Sequence, residues 1–207
     1  MQNYEPQDVP PQDLMATWFA GAARNRNNFF HLNNIPAAAV TMQTLIGGEH
    51  NYGPRPRRLE GVLLPHFVGN REVPPQPSTG YNTHDIPNVD PGHLGALSLG
   101  FGEYSEIVVP QWSDWQRNGA WRIMEREVYQ YAIETIDASR PINGIPRNSI
   151  YYTVEITYQN FGPNVCPRLQ VWAFPTRFLV RIYYCDLLGN YDPNEIFKEW
   201  DLPHNEH

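Results

Sequence analysis

Lysine and cysteine are both scarce in this chain. Lys198 is the only lysine, every other basic residue is arginine, and two cysteines serve 207 residues. Two cysteines cannot staple a domain of this size, which excludes the disulfide-framework class of small secreted proteins. No asparagine starts an Asn-x-Ser/Thr sequon, in keeping with a reducing, cytosolic setting. Long apolar runs are missing as well. Phe178–Val180 and Ile182–Cys185 are each bounded by charged residues, far short of the roughly 20 residues of a membrane helix. The start at Met1-Gln2-Asn3-Tyr4 has no basic residue leading into an apolar stretch, so no secretory leader is expected. Neither phosphate-loop pattern, GxxxxGK[ST] or GxGxxG, occurs, and the Gly-x-Ser-x-Gly of a nucleophile elbow is absent.

What is present points to a folded domain. Hydrophobic residues make up 41% and charged residues 18%, too apolar and too weakly charged for a disordered chain. The length fits one domain with its own core. A net charge of −7 gives no bulk attraction to nucleic acid. Arginine in place of lysine suits planar, bidentate pairing at contacts between subunits, with lineage composition as the competing reading.

Twenty prolines and fifteen glycines interrupt the chain throughout, which breaks long helices and marks turns between short strands. The fold class expected is all-β: an antiparallel β-sandwich, jelly-roll-like, with one or two short helices and an extended N-terminal arm. Residues 1–24 read as that arm plus a short helix capped by Asp13, and 25–207 as a single sandwich domain with long loops. Asparagines around Phe29 and Phe30 read as loop. Five prolines between Arg71 and Gly92 imply a long surface loop. Strands are expected over 94–99 and 103–109, the second ended by Pro110.

From Trp121 to Ala138 the pattern fits a helix at the start and a strand at the end, because β-branched and aromatic residues crowd its second half. The clearest strand is Tyr152, Val154, Ile156 and Tyr158 alternating with Thr153, Glu155 and Thr157. Arg168–Phe174 and Arg177–Cys185 can fold back on each other about Pro175-Thr176, placing Ala173 by Phe178, Val171 by Val180 and Leu169 by Ile182. That register would bring Cys166 opposite Cys185, within disulfide reach. Two free, buried thiols are the plainer alternative.

Candidate chemistry is sparse. His84, Asp85, Asp90 and His93 fall within ten residues, and imidazole with carboxylate is a sensible donor set for a divalent cation. Their spacing matches no zinc pattern, so ordinary loop residues compete with a metal-dependent enzyme. Glu125, Glu127 and Glu134 could supply an acid/base pair or merely a solvated face. Arg24 with Arg26, and Arg55 with Arg57 and Arg58, could grip phosphate or a neighbouring subunit. Trp112, Trp115 and Trp121 could be core, interface anchors or a stacking platform for sugar, and a carbohydrate- or ligand-binding sandwich using Trp112, Trp115 or Trp172 is the alternative function.

The segment Tyr104–Ser113, an apolar run followed by Val109-Pro110 and then polar and aromatic residues, resembles a strand end in jelly-roll capsid proteins of picorna-like viruses. Ala39–Ile46 resembles a segment preceding the jelly roll in some insect members. The resemblance covers under a tenth of the chain. It implies an eight-stranded sandwich without a cofactor that assembles into a shell around RNA. The expectation is therefore a structural subunit and not an enzyme, with no catalytic, cofactor-binding or metal residue assigned. Its partners would be copies of itself and other shell proteins, with weak contact to packaged nucleic acid through the arginine loops and none with a membrane. Its place would be the virion, assembled in host cytoplasm.

Overall fold

The computed structural model describes residues 39–47, 50–63, 87–101, 107–138, 148–159, 174–186 and 188–205. These residues are mainly β. Strands β1 (Ala39–Gly47), β2 (His50–Val62), β5 (Asn148–Gln159), β6 (Phe174–Asp186) and β7 (Lys198–Pro203) form one antiparallel sheet in the order β1-β2-β5-β6-β7. Between β2 and β5 the chain inserts a two-stranded hairpin, β3 (Val89–His93) with β4 (Val108–Trp112). Two helices follow, α1 (Ser113–Arg117) and α2 (Ala120–Ala138).

Alternation builds the sheet. Ile150, Tyr152, Val154 and Ile156 of β5 are buried, and the ladder sets Tyr152 against Ile182, Val154 against Val180 and Ile156 against Phe178. Leu59 of β2 and Leu202 of β7 extend the same apolar face, opposite Val154 and Phe178. Helix α2 covers it. Trp121, Met124, Val128 and Ala132 recur at helical spacing, and all four are buried in the same cluster as the sheet residues. Each fully buried side chain of this size contributes about 1.5–3 kcal/mol, which outweighs the weak strand preference of the helix's second half.

The opposite face of the sheet carries charge. Arg58 reaches Glu60 at 2.8 Å and Glu155 at 3.4 Å, Arg181 reaches Glu199 at 2.6 Å, and Arg177 pairs with Asp201. Tyr191 stacks on Tyr151 at 4.3 Å and lies 4.6 Å from Tyr183.

A buried histidine locks the two sheets together. His204 sits just past β7; its Nδ1 donates to Pro175 O at 2.7 Å, and its Nε2 accepts from the Trp112 amide at 3.0 Å. Those two roles require the neutral ring. Trp112, Trp115, Phe174 and Phe178 surround it. Burial pulls its pKa down to about 4, against the raising effect of the Pro175 carbonyl.

Several expectations are corrected. A jelly-roll sandwich needs two packed sheets of several strands, whereas the described residues form one five-stranded sheet and a two-stranded hairpin. The helix α2 runs 19 residues to Ala138 without turning into a strand. Pro110 lies inside β4, opposite Pro91; neither has an N–H, and an antiparallel pair of the non-hydrogen-bonded kind needs none. Over 94–99 there is no strand but a 3-10 turn, Leu97–Leu99, and the end of the expected 71–92 loop is the strand β3. Pro175 and Thr176 are not a turn: β6 runs through them, and Phe178, Val180 and Ile182 pair with β5. Cys185 is a free, buried thiol opposite Ser149. The N-terminal arm, the Asn-rich loop, Cys166 and Trp172 lie outside the described residues.

Candidate active site

The inserted hairpin and helix pair carry a second set of polar groups, apart from the charged face of the large sheet. Asn88, at φ 61°, turns the chain into β3, and its carbonyl accepts from the Ser113 amide at 2.8 Å. The ladder then sets Asp90 against Gln111, Gly92 against Val109 and His93 against Val108. Gly92 is required because a Cβ there would strike the Gln111 side chain. That carboxamide is buried, and neither of its polar atoms finds a partner among the described residues.

His93 ends β3 mostly buried, its Nε2 shielded from solvent. The next residue is held on both sides. Leu94 N donates to Ile107 O at 2.9 Å, and Leu94 O accepts from the buried Tyr152 hydroxyl at 2.8 Å. Tyr152 comes from the centre of the large sheet and packs against Phe101, ring centroids 5.6 Å apart. Glu125 of α2 lies close enough to Tyr152 to disfavour the phenolate further, and burial is the larger cause of that upward shift.

Glu125 is itself mostly buried. Its Oε1 accepts from Trp121 Nε1 at 3.0 Å and its Oε2 from Arg122 at 3.2 Å. Burial pushes its carboxyl above the usual range, against the lowering pull of Arg122. Between the helices, Asn118 is exposed and Gly119 is tight: a Cβ on Gly119 would sit 2.8 Å from Trp115 Cα. Asp90 is engaged by Arg117, at 2.9 Å and 2.8 Å. Arg117, Arg122 and Arg126 are exposed on these two helices.

The sequence-predicted residues separate accordingly. Asp90 and His93 share β3, but a spacing of three sends their side chains to opposite faces. His84 and Asp85 lie outside the described residues. No group of three His, Cys, Asp or Glu side chains able to hold a metal forms among the described residues. Glu127 accepts from Trp200 Nε1 at 3.1 Å and Glu134 from Gln130 at 2.8 Å, so neither joins Glu125 as an acid/base pair. Trp115 and Trp121 stack at 5.5 Å inside the core, and Trp112 packs on Phe174 at 4.9 Å. These rings are not a sugar platform. Arg55 is buried within β2, and Arg58 is spent on carboxylates. Sequence reasoning missed a role for Tyr152, since only the fold brings it beside the hairpin.

No family model matches the chain, and no curated protein does. Among solved structures it is similar to one described as "Structure of Sda1 nuclease with bound zinc ion", at 14% identity and a TM-score of 0.48, covering 83% of this chain and 75% of that one. The capsid expectation is withdrawn: among the described residues a five-stranded sheet with a long helix over one face and a two-stranded hairpin stand where a shell jelly roll needs two packed sheets. The expectation that the chain is not an enzyme falls with it. A likeness at this level assigns no activity, so the function is argued from the residues.

Proposed function

We propose that this chain is a hydrolytic enzyme of the nuclease kind, with His93 as the general base toward a phosphodiester. The observation that carries the reading is the His93 imidazole, mostly buried with its Nε2 shielded from bulk solvent, at a strand end whose backbone is fixed by Ile107 on one side and Tyr152 on the other. A base must be held within hydrogen-bond reach of the proton it takes, and a rigid strand end does that better than a loop. The substrate class follows from charge. Although the chain is net −7, the two helices expose Arg126 together with Arg117 and Arg122, the last two already paired with Asp90 and Glu125, and exchange of those carboxylates for phosphate oxygens is the contact proposed.

In the reaction, neutral His93 takes a proton from the attacking water as the water oxygen bonds phosphorus. The ester oxygen leaves and takes a proton from solvent, and His93 returns its own proton to solvent. The similar structure's description names zinc for that protein. Here Asp90 is engaged by Arg117 and no three protein donors converge among the described residues. A cation caged by these side chains alone does not fit, and no step is routed through one.

A substrate panel tests the proposal. Purified protein is incubated with duplex DNA, single-stranded RNA, an aryl phosphodiester, an aryl acetate and an aryl glycoside, each with and without added divalent cations. Turnover of the phosphodiesters and not of the acetate or glycoside supports the reading. Turnover confined to either of the last two, or no turnover of any, rejects it.

A further inference from the structure

We infer that Tyr152 is a positioning residue for His93, acting through the Leu94 carbonyl. This rests on the proposed role of His93 and adds to it a residue from a different sheet. The hairpin strand that carries His93 is only five residues long and, among the described residues, pairs with a single partner strand, and an isolated hairpin is marginal in water. Something outside the hairpin must fix where the imidazole sits. Leu94 follows His93 directly, and its two backbone groups are committed in opposite directions, the amide to Ile107 within the hairpin and the carbonyl to Tyr152 on the large sheet.

The Tyr152 hydroxyl is suited to that one task. It is buried, makes a 2.8 Å bond to Leu94 O, and approaches from a strand paired on both edges, with β2 and β6. A strand hydrogen-bonded on both sides and buried beneath α2 moves little, so the bond transfers the rigidity of the core to the residue beside His93. The phenol stays protonated, since burial and nearby Glu125 both raise its pKa. It therefore remains a donor across the working pH range. Packing alone would be served by phenylalanine, because the ring contact with Phe101 needs no hydroxyl.

The test separates the bond from the ring and from the base. Tyr152→Phe keeps the ring and deletes the donor; His93→Ala deletes the base; Tyr184→Phe, at an exposed site on β6, controls for loss of a hydroxyl. On a phosphodiester cleaved by the wild type, Tyr152→Phe is expected to lower kcat by about tenfold to a hundredfold, the scale of a displaced catalytic group. KM should stay within about twofold, and Tyr184→Phe should be unchanged. The His93 ring signals of a 15N-histidine sample should broaden or shift in Tyr152→Phe, an outcome readable even if no substrate is cleaved. Wild-type kcat in Tyr152→Phe together with unmoved His93 signals overturns the inference while leaving the base assignment intact. An inactive wild type with shifted His93 signals sinks the nuclease reading and keeps the positioning role.

Discussion

Replacing His204 with glutamine gives the most quantitative check on how the two sheets are joined. The ring is neutral in the fold because Pro175 takes its proton-bearing nitrogen and the Trp112 amide donates to the other. Protonation would set two donors, Trp112 N–H and Nε2–H, against each other. Burial accordingly holds the pKa at about 4 against 6.5 for a free histidine. The folded value lies below the unfolded one, so the unfolded chain takes up the proton first as pH falls. The stability His204 contributes is complete above pH 6.5 and drains away between 6.5 and about 4. A gap of that size corresponds to about 3 kcal/mol, with a slope of up to about 1.4 kcal/mol per pH unit. Urea unfolding of wild type and His204→Gln at pH 7, 6, 5 and 4 isolates this group, because the other titrating residues are common to both. The advantage of wild type should shrink by about 3 kcal/mol across the series, and could reverse sign at pH 4. A difference between the two proteins that stays constant with pH would refute the buried neutral ring.

Three further outcomes follow from the packing. Gly119→Ala forces a methyl to within 2.8 Å of Trp115 backbone atoms, and the overpacking should cost about 1–3 kcal/mol in denaturant titration. Cys185, whose thiol burial pushes up to about 12, should resist iodoacetamide at pH 8 in the folded protein and react once unfolded, as read by peptide mapping. Glu155→Gln removes a half-exposed carboxylate shared by Arg58 and Arg181. Its effect on stability should stay under about 1 kcal/mol and vanish in high salt.

The parts of the fold legible from sequence are those where one period dominates. Residues 152–158 alternate because Tyr152, Val154 and Ile156 enter the apolar core while the other side of β5 carries Thr153, Glu155 and Thr157, and the structure keeps that strand. Alternation fixes a face but not a partner. Phe178, Val180 and Ile182 satisfy a hairpin with 169–173 as well as the observed ladder with β5, and only the fixed φ of Pro175 spoke against a tight two-residue turn there. The second half of α2 misled for another reason: Tyr129, Tyr131 and Ile133 have strand preferences, and only the buried stripe through Met124, Val128 and Ala132 decides for helix. At the candidate site His93 and Asp90 were visible as polar residues in one stretch, but not that they face opposite ways. The Tyr152 bond to Leu94 spans 58 positions, a separation that local pattern reading does not reach.

The central claim is that His93 performs the chemistry, and the rate ratio between wild type and His93→Ala on one phosphodiester substrate measures it most directly. Loss of a general base predicts a fall of about 100-fold or more in kcat, with a far-ultraviolet circular dichroism spectrum like that of wild type. Cleavage by His93→Ala at the wild-type rate would contradict the account.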